Sequence, residues 1–302
     1  MKKIAQYLSL VKFSHTIFAM PFAIVGFFMG VMQMQKSEIN FSGIEKVIVY
    51  FSSQWMIFLY IILCMIFARS AAMAFNRYLD REFDAKNPRT AIREIPKGII
   101  SPASALRFTI INSILFMGSA WMINKICFLL SPIALLVILG YSYTKRFTAL
   151  CHIILGLGLS LAPVGAFIAV TEQVNISIVL LSSAVIGWVS GFDIIYALQD
   201  DAFDASQGLY SIPSFLGRRN ALLFSRILHS ITGLLLAVLA YTYGFHWIYA
   251  IGYIIYITML VYQQSIVKEN DLSRVNIAFM TANGIASIFF AVFTITDLIY
   301  FG

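Results

Sequence analysis

Apolar runs recur along this chain from near Thr16 to Tyr300, each long enough for the ~20 residues that cross a hydrocarbon core. A water-soluble globule cannot hide them. Of the 302 residues 60% are apolar and 12% charged, against roughly 45–50% and 25% in a soluble domain. The expected fold is all-α, one polytopic membrane domain over residues 1–302. Apolar length and the punctuation by Gly, Pro, Asn and charge place nine spans near 14–34, 54–76, 104–123, 126–143, 149–171, 176–198, 220–243, 246–264 and 276–300. Lys2, Lys3 and Lys12 among apolar residues predict a short interfacial helix before the first span. Residues 47–55 read either as a second interfacial piece or as the start of span 2. Met1-Lys2-Lys3 imitates a signal peptide, yet no small-residue cleavage site follows, so the N-terminus is expected to stay on the protein.

The net charge of +7 raises the question of nucleic acid. No aromatic-interleaved basic stripe or zinc-finger spacing accompanies it, so no nucleic-acid partner is expected. The cations read as topology instead. Retention of Lys and Arg on the cytoplasmic face puts the N-terminus and the loops after even spans inside, because they carry 17 of the 21 cations. Lys36, Lys46 and Lys125 lie on the other side, and Arg69 lies within span 2. Cys64, Cys127 and Cys151 are scattered, without metal or disulfide spacing.

Half of the 14 carboxylates fall in two clusters, Asp80, Glu82, Asp84 and Asp193, Asp200, Asp201, Asp204. A charge at the bilayer centre costs about 2.5–3.5 kcal/mol on insertion scales, so such clusters belong at an interface or around a polar cavity. Asn76-x3-Asp80-x3-Asp84 forms one stripe of a helix, and Asp193-x2-Tyr196-x3-Asp200-x3-Asp204 repeats the device at an offset of 120 residues between matching aspartates. Both spans are even, so the stripes reach the same side and can face each other. Mg²⁺ prefers six oxygen ligands and takes one or two carboxylates while phosphates and waters fill the rest. Two such ions would hold a diphosphate, with Arg77, Arg81, Lys86, Arg89, Arg93, Lys97, Lys145, Arg146, Arg218 and Arg219 as further anion contacts. A diphosphate head at the interface with an apolar tail between helices describes a polyprenyl diphosphate. A cation-coupled transporter is the alternative class, disfavoured because the acids crowd helix ends instead of broken helices at mid-membrane.

These segments resemble the UbiA family of intramembrane aromatic prenyltransferases. Carrying the resemblance are Arg69-Ser-Ala-Ala-Met-Ala-Phe-Asn76, Asp80-Arg81-x2-Asp84-Ala-Lys-Asn-Pro-Arg-Thr90, Tyr141-Ser-Tyr-Thr-Lys-Arg146, Gly191-Phe-Asp193-Ile-Ile-Tyr196, and Asp200-x3-Asp204 with Gly208-Leu-Tyr-Ser-Ile-Pro213. Arg77 after Asn76, and Arg93-Glu-Ile-Pro96, depart from the family's usual motifs. The resemblance implies nine helices around a central cavity, with Asn76, Asp80 and Asp84 on one Mg²⁺ and Asp200 and Asp204 on another. It implies prenyl transfer to an electron-rich ring, either an aromatic acid such as 4-hydroxybenzoate or a naphthoate, in ubiquinone or menaquinone biosynthesis. The setting it implies is membrane lipid, in the cytoplasmic membrane of a bacterium, with the site on the cytoplasmic side. Arg69, Arg77, Arg81, Lys86, Tyr141, Lys145 and Arg146 become candidate substrate contacts, Arg69 for an acceptor carboxylate. Asp193 and Tyr196 become candidates for positioning the acceptor or handling its proton.

Other polar residues read as packing. His15, His152 and His229 lack HxxxH spacing and are expected to make helix-packing hydrogen bonds, and Asn283-Gly284 to serve close helix contact.

Overall fold

The structure, a computed structural model, describes residues 2–11, 19–33 and 41–302. Lys12, His15, Lys36 and the first residues of the expected span 14–34 lie outside the described residues. The described helices are α1 Lys2–Leu10, α2 Met20–Met32, α3 Gly43–Leu79, α4 Arg81–Lys86, α5 Pro102–Ile123, α6 Lys125–Thr144, α7 Cys151–Thr171, α8 Ile176–Ala197, α9 Asp201–Ser206, α10 Ile212–Tyr243, α11 Trp247–Ile266 and α12 Asn283–Phe301. A π-helical turn, Ile277–Ala282, runs directly into α12. Among the described residues an isolated bridge between Lys268 and Asp271 accompanies this all-helical fold.

Seven of these segments are long and apolar enough to cross a bilayer: α3, α5, α6, α7, α8, α10 and Ile277–Phe301. The chain is an all-α polytopic membrane protein. Each expected span coincides with a helix, α2 and α11 occupying the two places outside those seven. Local chemistry explains where several helices begin, since short polar side chains satisfy amides that a first turn leaves unpaired. Ser101 Oγ accepts from Ser104 N at 3.2 Å, Asn124 Oδ1 from Cys127 N at 2.8 Å and Asn175 Oδ1 from Ile178 N at 3.0 Å.

The ambiguous stretch 47–55 belongs to α3, whose start is closed by Ser42 and Glu45 in a reciprocal capping box. Non-helical Gln54 (φ −133°, ψ 22°) kinks α3. This divides a 37-residue element that would otherwise extend ~55 Å, well beyond a ~30 Å hydrocarbon core. A second break falls at Gly217 in α10, where φ of +75° is accessible to glycine at little cost.

Around central α8 pack α7 and α10, while α3 packs on α5, α2 on α7 and α11 on α12. Trp188 of α8 is fully buried against Phe22, Tyr256 and Phe192, and its Nε1 donates to Asn283 Oδ1 at 3.0 Å. Close approach of α7 to α8 needs Gly156, where an added Cβ would lie 2.6 Å from the Ile186 carbonyl oxygen. The outer surface is itself apolar, with Ile133 and Leu136 of α6 and Ile114 of α5 exposed. That inversion suits a chain whose surroundings are lipid, where small residues and buried hydrogen bonds replace hydrophobic expulsion as the means of helix contact.

Candidate active site

Both aspartate-rich segments sit where a long helix stops and a one-turn helix follows. Asp80 separates α3 from α4 (φ −86°, ψ 4°), and Asp200 precedes α9 (φ −116°, ψ 5°). In each, the amide four residues on donates back at 2.7 Å, Asp84 N to Asp80 O and Asp204 N to Asp200 O. The helical register therefore survives the break, and Asn76, Asp80 and Asp84 keep a common stripe. Asp80 and Asp84 are buried, at 3% and 5% exposure, which an ionised carboxylate tolerates only with partners.

Those partners are cations from elsewhere in the chain. Lys145 Nζ lies 2.7 Å and Arg146 Nη2 3.2 Å from Asp80, and Asn76 Nδ2 donates to it at 3.3 Å. Arg93 Nη1 lies 2.6 Å from Asp84, whose Oδ2 is buried with no hydrogen-bond partner. Arg89 grips Asp200 through both Nε, at 2.9 Å, and Nη2, while Asn87 Nδ2 donates to Asp200 Oδ1 at 2.9 Å. The loop leaving the first segment thus holds the second. Asp201 is taken by a bidentate contact from Arg218, with Nε 2.5 Å and Nη2 3.0 Å away, which keeps its carboxyl below the usual range. Burial pushes Asp204 up to about 6, with neighbouring Asp200 adding to the effect and Lys145 opposing it.

Alongside this charged layer lies a cavity of about 510 Å³. Arg69, Asn76 and Arg77 of α3, Tyr141 of α6, and Asp193 and Tyr196 of α8 line it, with Arg89 and Arg93 at its rim. Leu155, Leu159, Val189, Phe192 and Phe279 give it apolar walls. Nε of Arg69 and Nε of Arg77 are buried without a hydrogen-bond partner. A buried guanidinium left in that state is prepared for an anion. Tyr196 Oη accepts from Arg89 Nη1 at 2.9 Å, and its ring lies 4.3 Å from that of Phe279, centroid to centroid.

Other candidates stand apart from the cavity. Arg81 turns to the Tyr78 carbonyl (2.8 Å) and Glu82 (3.3 Å), and Lys86 is exposed. Lys145 and Arg146 meet the site through Asp80. Sequence reasoning passed over Asn87 and Phe279 and ranked Arg89 and Arg93 only as flanking cations. For the arginines the available signal was their place in a cationic loop beside the acids; for Phe279 there was none. His152, expected as a packing residue, hydrogen-bonds Asp193 Oδ2 through Nδ1 at 2.7 Å. His229 fits the packing expectation, between Gln264 and the Trp188 carbonyl.

The donors of the two aspartate segments are all oxygens, and Asp84 Oδ2 is an orphaned one, which suits a hard divalent cation. Among the described residues no three His, Cys, Asp or Glu side chains gather at one point. The fit is therefore to an ion held by one or two carboxylates, with phosphate and water completing its shell.

Comparison with known proteins agrees with this geometry. Residues 49–291 match the UbiA prenyltransferase family. A 4-hydroxybenzoate octaprenyltransferase of Tolumonas auensis is 29% identical over 223 residues, 74% of this chain and 78% of that enzyme. The apo structure of a UbiA homologue from Aeropyrum pernix K1 superposes with a TM-score of 0.79 at 29% identity, covering 94% of this chain and 98% of the other. A UbiA homologue from Archaeoglobus fulgidus bound to GPP and Mg²⁺ shares the fold, with a TM-score of 0.74 at 21% identity over 97% and 99% of the two chains. The match leaves no place for the transporter alternative. The aspartates at its two helix ends, the cation-rich loop and the family match together identify this chain as a member of the UbiA prenyltransferase family, an integral membrane enzyme that transfers prenyl groups.

Proposed function

We propose that the protein transfers a polyprenyl group from a polyprenyl diphosphate to an aromatic acid resembling 4-hydroxybenzoate, for quinone biosynthesis. The observation that carries the reading is the Arg69 guanidinium, buried with Nε unpartnered in the same cavity as Asp193 and Tyr196. It offers a carboxylate a bidentate partner while the apolar walls receive ring and chain. A naphthoate acceptor is the second reading, favoured by the same cavity if the bicyclic ring lies against Phe279.

Asn76, Asp80 and Asp84 would hold one Mg²⁺ and Asp200 and Asp204 the other; that UbiA homologues bind Mg²⁺ together with a prenyl diphosphate supports the choice of ion and ligand. The chemistry supplied by bound Mg²⁺ is neutralisation of the charge that develops on the leaving diphosphate. Lys145, Arg146, Arg89, Arg93 and Arg77 add positive charge around the same leaving group, with Lys86 and Arg81 at the outer approach. Tyr141 and Tyr196 flank the acceptor. As its ring attacks C1 of the chain, Asp193 takes the displaced ring proton and the C–H electron pair restores the aromatic system. The enzyme is read as one domain with nine crossings, α2 and α11 included, in a bacterial cytoplasmic membrane with the site inside.

Detergent-purified protein, labelled long-chain prenyl diphosphate, Mg²⁺ and a panel of aromatic acids provide the test, with products identified by mass spectrometry. The expected result is a prenylated aromatic acid from wild type, and loss of turnover without loss of protein in Asp80→Ala, Asp84→Ala, Asp200→Ala and Asp204→Ala. Two of these variants within a few-fold of wild type would remove the two-ion reading. Turnover only with a non-aromatic acceptor would remove the acceptor assignment.

A further inference from the structure

Three helices meet at His152, and their geometry fixes its proton. The residue is 3% exposed at the start of α7. The Ile212 amide donates to Nε2 at 3.3 Å, and a ring nitrogen that accepts a hydrogen bond carries no proton. In the neutral imidazole the proton then sits on Nδ1, 2.7 Å from Asp193 Oδ2 on α8, and the ring donates there. The Ile212 donor is itself set by the fold. It is the first residue of α10, where amides have no intrahelical acceptor, and Pro213 behind it has no N–H to compete. Ser190 Oγ lies 3.1 Å from the His152 carbonyl, its one proton shared with the Ile186 carbonyl at 2.7 Å.

We propose that His152 is the positioning residue for Asp193: its Nδ1–H occupies Oδ2, fixes the carboxylate plane and leaves Oδ1 to the cavity. The inference rests on Asp193 as the proton acceptor described above. Oδ1 receives the ring proton; the broken C–H bond's electron pair returns to the ring, and the resulting carboxylic acid gives its proton to water. His152 touches no reacting atom.

Two substitutions separate this role from simple packing. The amide nitrogen of Asn reaches nearly the position of Nδ1, and that of Gln nearly that of Nε2. His152→Asn therefore retains the donor to Asp193, and His152→Gln loses it. With the acceptor that wild type turns over best, His152→Asn is expected within about threefold of wild-type kcat. His152→Gln is expected to fall tenfold or more in kcat, with KM for the prenyl diphosphate unchanged within twofold. An acceptor deuterated at the ring position that is prenylated gives a larger isotope effect on kcat in the Gln variant than in wild type. Equal impairment of both variants, with no change in isotope effect, would overturn the positioning role and leave His152 as packing. Failure of wild type to prenylate any aromatic acid would overturn the parent reading, and this one with it, in a separate arm.

Discussion

Asn87 donates a 2.9 Å hydrogen bond to Oδ1 of Asp200, joining the loop after the first aspartate segment to the second segment 113 residues later in the chain. Arg89 holds the same carboxylate from the same loop. The two halves of the charged layer are thus a single connected network even before any ligand bridges them.

A hydrogen bond to a charged group contributes ~1.5–3 kcal/mol. Asn87→Ala should lower the unfolding free energy in detergent by about that amount. In an Asp200→Ala background the same change should cost markedly less, since only the bond that the Arg89 amide donates to Asn87 Oδ1 at 2.9 Å remains to be lost. A double-mutant cycle by thermal or denaturant unfolding checks this. Equal costs in both backgrounds would disconnect the halves.

Arg69 should discriminate between substrates. Arg69→Lys keeps the charge but loses the planar fork, so KM for a carboxylated acceptor is expected to rise by ~10- to 100-fold, the equivalent of one charge-assisted contact at ~1.5–3 kcal/mol. KM for the prenyl diphosphate should move far less. Steady-state kinetics varying each substrate separately reads the difference, and an effect confined to the diphosphate would assign Arg69 to the leaving group instead.

Asp204, pushed up to about 6 by burial, gives a pH dependence with a definite sign. A protonated carboxyl does not ligate Mg²⁺, so the Mg²⁺ concentration for half-maximal activity should rise as pH falls from 7.5 through 6 to 5, approaching ~10-fold per unit below 6. In metal-free protein, the raised value means that this group's contribution to stability is full below its ordinary 3.8 and lost as pH climbs through 6. Saturating Mg²⁺ should cancel that loss, which thermal unfolding across pH 4–7 with and without the ion measures. A flat Mg²⁺ requirement between pH 7.5 and 5 would separate Asp204 from metal binding.

The distribution of cations gives an expected orientation. Single cysteines replacing Lys86, Lys145 and Arg219 should react with a membrane-impermeant maleimide from the cytoplasmic side, and one replacing Lys125 from the opposite side. Labelling of the Lys125 replacement from the cytoplasm alone would reverse the topology.

The positions of the long helices were legible in the residues because span length, apolar runs and end caps are local properties. Residues 104–123 and 176–198 read as spans, and α5 (Pro102–Ile123) and α8 (Ile176–Ala197) form there. The stripes of Asp80–Asp84 and Asp200–Asp204 were legible for the same reason, since four-residue spacing is a property of one helix. The kink at Gln54 and the π-helical turn at Ile277–Ala282 had no comparable signature, because neither carries a proline to interrupt the pattern.

Pairing across the bundle was decided only by tertiary structure. Nothing in the spacing of Arg93, Arg89 and Lys145 says that they close on Asp84, Asp200 and Asp80, or that Arg81 turns away to Glu82. Likewise His152 meets Asp193, and Phe279 meets Tyr196, only because of how α7, α8 and the π-helical turn are rotated. The physical reason is the solvent. In water an apolar stripe must face inward and so sets a helix's rotation. In lipid both sides of a helix are equally content with apolar neighbours, and rotation is set by small-residue contacts such as Gly156 on Ile186 and by buried hydrogen bonds such as Trp188 to Asn283. The sequence by itself determined which helices exist and which carry acids; three-dimensional packing determined which side chains share the cavity.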